Sequence, residues 1–336
     1  MGSDKTRLPT APPNSCYEIR QVPGKGCGCF ATAPIKRGTR ILADSPLVIV
    51  PIAKYLASDI GSVFEKLTAD EQAQYLSLHS GHGQDPKTWP SRIHESVTPR
   101  ERQRIQEQHE ARVGTEPTLI SIFQVNCMEL DGGAAVFPHA ARFNHACNPN
   151  ATFSWNPAIG QETIHAMQDI DQGDEITLSY CDMSHERQLR GWELKHYGFV
   201  CNCKSCEIDA DGDTADGTWA YQSAQRRFRL EELAREVRHL RGPRIEKGAQ
   251  VAGFVPKMLE MAKLLVEEGD WTPRLANVFL DIALVCELKG EFKSGCMAAD
   301  KAVQVKKDCQ GEDYPDYDKY VEVLVRMRIK LGQQKA

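Results

Sequence analysis

The sequence predicts an α+β chain with an all-helical C-terminal domain, and three observations predict it. Short runs of alternating or β-branched apolar residues occur in the first fifty positions and return between 151 and 180. A charged stretch with apolar residues at helical spacing separates them, over 54–115. From 219 onward the chain reads as helix almost to its end. At 336 residues it has length for two domains of ordinary size.

In order, residues 1–14 read as a flexible leader, with TAPP at 10–13. MGSDKT also fits the loose pattern for myristoylation of Gly2, with Thr6 in place. The opening part, 15–53, holds YEIRQ (17–21), a glycine-rich turn PGKGCGCF (23–30) and the aliphatic run TRILADSPLVIVP (39–51). The insert at 54–115 follows, its two helical runs separated by the loop HSGHGQDPKTWP. A second β-rich part spans 116–183, with strands over 151–155, about 164–168 and 175–180 and a DQGD turn before the last. A cysteine segment covers 184–208, and the acidic stretch EIDADGDTADG marks a linker at 209–218. The helical domain is 219–336. Within it Gly290, Phe292, Gly295, Ala299 and Ala302 suit one tetratricopeptide-type hairpin, or an ordinary helical pair.

Composition excludes several classes. Hydrophobic residues make up 41% and charged residues 26%, the balance of a globular protein. A net charge of −5 and a pI of about 6.1 argue against a whole-molecule grip on nucleic acid or membrane. The run LVIVPIA (47–53) falls far short of the roughly 18 apolar residues a membrane span needs. A secretory signal pattern is not expected, and RGPRIEK (241–247) is too dilute for a nuclear-import run. A monomer in the cytoplasm or nucleus is the expectation.

The 12 cysteines point to metal or packing rather than disulfides. None lies between Cys29 and Cys127, whereas CNCKSC packs Cys201, Cys203 and Cys206 into six positions. Three thiolates so close suit one tetrahedral ion, and structural zinc takes four ligands. Cys147, in RFNHACNPN (142–150), is the candidate fourth, with His145, His196 and Cys181 as rivals. The turn KGCG at 25–28 lets the backbone turn sharply or approach something closely. It has neither the third glycine of a dinucleotide fingerprint nor the Gly-Lys-Ser/Thr of a phosphate loop.

The order of motifs carries more than any one of them. GKGCGCF, RFNHACNPN, GDEITLSY and YGFVCNCKSC, in that sequence, resemble the SET-domain protein lysine methyltransferases over roughly 17–207. The family's Asn-His-x-Cys-x-Pro-Asn signature is met by Asn144, His145, Cys147, Pro149 and Asn150, with Ala146 where serine is usual. Within that family the chain is most similar to the SMYD subgroup, of fungal type. The subgroup's cysteine-rich MYND finger is missing, because 30–126 contains no cysteine.

The resemblance implies an α+β SET fold with a zinc-binding post-SET segment and a tetratricopeptide-like helical domain. It implies S-adenosylmethionine as cofactor, structural zinc on Cys147, Cys201, Cys203 and Cys206, and a protein or peptide lysine as substrate. Lys25, Gly26, Cys27 and Gly28 would approach the cofactor's methionine end. Asn126, Cys127, Ala141, Asn144 and His145 would line its pocket, and Phe199 would lie against the adenine. Tyr180 matches the family's catalytic tyrosine and also borders the cofactor, while Tyr197 would wall the lysine channel. Asp174 and Glu175 read as turn and strand-edge residues, and Leu178 leaves mono-, di- and trimethylation open. Two other readings stand beside this one: a SET fold turned to small-molecule chemistry, and a silent scaffold that binds partners through its helical domain.

Overall fold

Tyr17–Val22 (β1) and Gly26–Ala31 (β2) form the opening hairpin of the computed structural model, which describes residues 9–89, 92–130, 132–208 and 216–335. Gly2, most of the leader and residues 209–215 of the expected linker lie outside the described residues. The hairpin pairs Tyr17 with Ala31 and Val22 with Gly26. Its turn places Gly24 at φ 75° and Gly26 at φ 74°, a left-handed conformation that side-chain-bearing residues resist.

The aliphatic run at 39–51 is two strands rather than one. Arg40–Asp44 (β3) and Val48–Val50 (β4) enter different sheets. Pro46, which lacks an N–H for a ladder, stands between them. The remaining strands are Cys127–Leu130 (β5), Gly133–Val136 (β6), Asn144–His145 (β7), Ala151–Asn156 (β8), Gln161–Ala166 (β9) and Glu175–Leu178 (β10). They build three small sheets, ordered β1-β2-β10-β7, β3-β9-β8 and β4-β6-β5. The strand expected near 164–168 starts three residues earlier, and the β5–β6 hairpin was not foreseen. Short, alanine-containing strands carry a weak β signal. Gly133 has no room for a side chain there, since a Cβ would lie 2.3 Å from Val50 O.

Helices Ala57–Phe64 (α1), Ala69–Leu76 (α2), Pro99–Val113 (α3) and Leu119–Asn126 (α4) follow local start signals. Thr68 and Glu71 make a capping box on α2, and Thr98 caps α3 with Pro99 at its first position. Their apolar faces join Val48, Val50 and Val136 in a core around Ile60, Tyr75, Ile122 and Phe123. A second core, with Tyr17, Ile19, Phe137, Phe143, Ile164 and Leu178, fills the space under the other two sheets.

After β10 come Arg187–Leu194 (α5), Trp219–Val237 (α6), Ile245–Gln250 (α7), Phe254–Glu268 (α8), Pro273–Leu288 (α9), Phe292–Gln310 (α10) and Tyr317–Lys335 (α11). From α6 onward they share a core of their own, with Leu233, Met258, Leu265, Leu275, Ile282, Val285 and Met327. α10 packs on both α9 and α11. Ala299 and Ala302 are buried in that contact, and a Cβ on Gly295 would meet the Met327 side chain. α10 also lies on β8 and β9, where the Gln310 amide donates to Ser154 Oγ at 2.7 Å. Among the described residues no helix is long and apolar enough to cross a membrane.

Candidate active site

The parallel pairing of β7 with β10 brings the two central motifs side by side. Thr177 lies opposite Asn144 and Leu178 opposite His145. Asn150 holds the arrangement: its amide donates to Glu175 O at 2.9 Å, and its carbonyl accepts from Thr177 N at 2.8 Å. These bonds satisfy β10 backbone that a two-residue partner strand would leave bare.

Past the end of β10 the Tyr180 N–H donates to His145 Nδ1 at 2.9 Å. The ring proton must therefore sit on Nε2, which donates to Cys147 Sγ at 3.2 Å. Burial pushes the His145 pKa down to about 4, so the ring is neutral at physiological pH. That tautomer removes His145 as a metal ligand, because neither nitrogen has a lone pair to spare for an ion. His196 is removed by position, since it packs against Trp89 and Trp192.

Cys147, Cys201, Cys203 and Cys206 bring their sulfurs within 4.8 Å of one another. The Cys147 sulfur is 3.8 Å from that of Cys201 and 3.4 Å from that of Cys206. A tetrahedral ion with metal–sulfur bonds of about 2.3 Å spaces its sulfurs about 3.8 Å apart, so the four fit zinc. Cys181 lies within reach of Cys147 and His145 as a fifth thiol.

Tyr180 is the centre of an aromatic group. Its ring lies 4.8 Å from Tyr197, 5.3 Å from His145 and 6.4 Å from Phe199, centroid to centroid. Its hydroxyl donates to Phe143 O at 2.5 Å, which leaves the oxygen's lone pairs available. Burial raises the pKa of Tyr180 well above the ordinary phenol value and pushes Tyr197 up to about 12. Neither can serve as a base at neutral pH. Phe199 remains 37% exposed, which leaves a ring face open to a ligand.

On the other side of His145 lies the glycine turn. Lys25 is exposed there, and its charge helps hold His145 neutral. Gly28 is buried against Asn144 and Glu175: a Cβ would fall 2.7 Å from Asn144 Nδ2 and 2.5 Å from Glu175 Oε1. Those two side chains share a 2.7 Å hydrogen bond, so Glu175 orients the Asn144 amide. Glu175, at the edge of β10 as its sequence position suggests, thus also bears on the candidate site through Asn144. Close backbone, an oriented amide and an open aromatic face suit a nucleoside-bearing cofactor such as S-adenosylmethionine.

The other expected residues fall into place unevenly. Cys27 is half-buried on β2, with its thiol 3.4 Å from Gln21 Oε1. Ala141 and Cys127 pack against the core of the insert. Burial pushes the Cys127 thiol up to about 11, and its charge would be felt by Tyr197. Asn126 turns inward, where its amide nitrogen donates to His79 O at 2.7 Å and Ile122 O at 2.6 Å. Both amide protons are taken up by the fold. Leu178 is wholly buried in the core beneath the first sheet.

The SET domain family model matches residues 26–181. Histone-lysine N-methyltransferase set5 of Schizosaccharomyces pombe is 26% identical over 317 residues, covering 91% of this chain and 83% of that one. N-lysine methyltransferase SMYD2 of Rattus norvegicus is 34% identical over 99 residues, 26% of this chain and 22% of its own length. Among solved structures, Rubisco LSMT bound to AdoMet is 12% identical, covering 96% of this chain and 90% of that one with a TM-score of 0.39. Residues 26–181 thus match a SET domain, and the chain as a whole is similar to SET-type and SMYD-type lysine methyltransferases.

Proposed function

We propose that the protein transfers methyl groups from S-adenosylmethionine to lysine side chains of protein substrates, with zinc on the four clustered cysteines as a structural ion. The observation that carries this reading is the Tyr180–His145 contact. Two hydrogen bonds of the His145 ring, one from Tyr180 N–H to Nδ1 and one from Nε2–H to Cys147 Sγ, join the tyrosine of the aromatic group, the cofactor-side motif and the cysteine cluster. S-adenosylmethionine, when bound, supplies an electrophilic methyl group on a sulfonium.

The chain's own residues do the rest. A lysine with a pKa near 10.4 costs about 4.6 kcal/mol to present as neutral amine at pH 7. An aromatic channel walled by Tyr180 and Tyr197 lowers that cost by desolvating the ammonium. The Tyr180 oxygen, fixed by its bond to Phe143 O, offers its lone pairs to a polarised methyl and to the incoming amine. Holding the amine in line supplies several kcal/mol more. Since both tyrosines stay protonated, the amine's proton leaves to water rather than to a side-chain base. Histone or other proteins are the substrate class, and a nuclear or cytoplasmic setting goes with it. The small-molecule and scaffold readings gain no observation of their own.

The test is labelling of proteins in a cofactor-depleted cell extract by radiolabelled S-adenosylmethionine, with wild type beside Tyr180→Phe. Discrete labelled bands that fade strongly in the variant support the proposal. A folded, zinc-loaded protein that binds the cofactor and labels nothing overturns it.

A further inference from the structure

The crevice behind the cysteine cluster has an imbalance of buried charge. Arg227, on α6 of the helical domain, is 3% exposed and reaches across to donate to Cys147 O at 2.8 Å. Arg190, on α5, is 2% exposed; its guanidinium donates to Ser205 O at 3.1 Å and lies 3.7 Å from Cys206 Sγ. Arg226 and Arg227 share one carboxylate, Glu268, at 2.8 and 2.9 Å. Arg274 faces Asp270 at 3.7 Å. Four cations thus meet three carboxylates, since Asp182 also faces Arg274. Asp182 is shared with His185, and Glu193 pairs with His185. Arg190 Nε, Arg226 Nη2 and Arg227 Nη1 are buried with no hydrogen-bond partner among the described residues, and of these three only Arg190 and Arg227 contact the cysteine segment. Buried guanidinium groups in excess of their counter-charges are expensive unless something anionic sits beside them.

A divalent ion on four thiolates is that anion, since it carries a net charge of two minus. We infer that Arg190 and Arg227 are the counter-ions of the metal–thiolate unit, so that the helical domain, through Arg227, is a working part of the metal site. The inference rests on the reading of the four cysteines as a metal site. The remaining bonds fit it. Ser223 Oγ and Glu268 Oε1 are 2.5 Å apart and Arg227 Nε donates to both, which fixes the guanidinium. Asn148, the residue after Cys147, donates to Glu268 O from the other side. Metal occupancy and docking of α6 and α8 on the SET part are therefore coupled. Arg190 and Arg227 are positioning residues for the cysteines.

Zinc release to a chromogenic chelator tests this in the full chain, comparing wild type with Arg227→Met, Arg227→Lys and Arg226→Met. Arg226 touches the same Glu268 but no cysteine, so it controls for general loosening. Release should be at least tenfold faster in Arg227→Met, and within about threefold of wild type in the other two. Amide hydrogen exchange should show α6 and α8 losing protection when zinc is stripped from wild type. Equal release from Arg227→Met and wild type overturns the inference, as does equally fast release from Arg226→Met and Arg227→Met. Unchanged protection of α6 and α8 in zinc-stripped protein does the same while leaving the cysteine reading intact. Purified protein without stoichiometric zinc overturns both.

Discussion

Gly28 shows how one missing atom shapes the cofactor side of the site. A methyl group there would collide with both partners of the Asn144–Glu175 hydrogen bond. Gly28→Ala should fold, because the clash is with side chains, yet weaken S-adenosylmethionine binding at least tenfold by isothermal titration calorimetry. Unaltered affinity would mean that the turn does not face the cofactor. Tyr180→Phe acts differently. It removes a hydroxyl already aligned by Phe143 O and leaves the ring stack with Tyr197 in place. Losing one preorganised electrostatic contact typically costs about a hundredfold or more in turnover. We expect kcat to fall by about that much with cofactor affinity retained, measured by steady-state methyl transfer. Neither Glu175 nor the His145 tautomer was legible in the sequence, because each depends on which side chain a neighbouring strand brings opposite.

At the scale of the element, β9 carries an unusual burden. Glu162 is 1% exposed, lies across from Asp44 on β3, and its Oε1 has no hydrogen-bond partner among the described residues. Burial, and then the neighbouring Asp44, push its carboxyl pKa up to about 8. Because the folded value is raised, the native state holds a proton that the unfolded chain gives up. Its contribution is complete below the unfolded value near 4.5 and is lost as pH rises through about 8. Between pH 4.5 and 8 the wild type should lose on the order of 4 kcal/mol from this source, a loss absent in Glu162→Gln. Urea unfolding of both proteins across that range checks it, and parallel pH curves would refute it. The strands themselves were largely readable from alternation, as in β1, where Tyr17 and Ile19 face inward. The β5–β6 hairpin was not, since its small residues are held by contact with β4 rather than by their own preference.

At the scale of the whole molecule the two parts are joined at more than the cysteine cluster. Arg37, in the turn before β3, lies over the Trp271 ring at 4.1 Å and donates to Asp308 on α10 at 3.1 Å. Arg40 pairs with Asp313 beyond that helix. Removing the cation–π contact and the ion pair together in Arg37→Ala should cost about 1–2 kcal/mol. The loss should appear as a lower midpoint in thermal unfolding, with no change in zinc content. A variant that also sheds zinc would show that the two junctions are not independent. The helical character from 219 onward was plain in the sequence. Which face of those helices meets the SET part was not, because α10 is apolar toward α9 and α11 but polar where Gln310 meets Ser154.

The sequence by itself determined the class and order of elements and the four motifs, and with them the likeness to SET-domain lysine methyltransferases. Those properties are written in local spacing: glycines where a turn needs positive φ, thiols close enough to share an ion, alternation where a strand has one wet face. Tertiary structure alone decided that Cys147 rather than His145 or His196 closes on Cys201, Cys203 and Cys206, which nitrogen of His145 carries its proton, and that Asn126 turns inward. It alone placed Arg190 and Arg227 against the cysteines, one of them from 80 residues away. Hydrogen bonds and buried charges act over a few ångströms, and chain separation says nothing about which groups will lie that close until the strands and helices have packed.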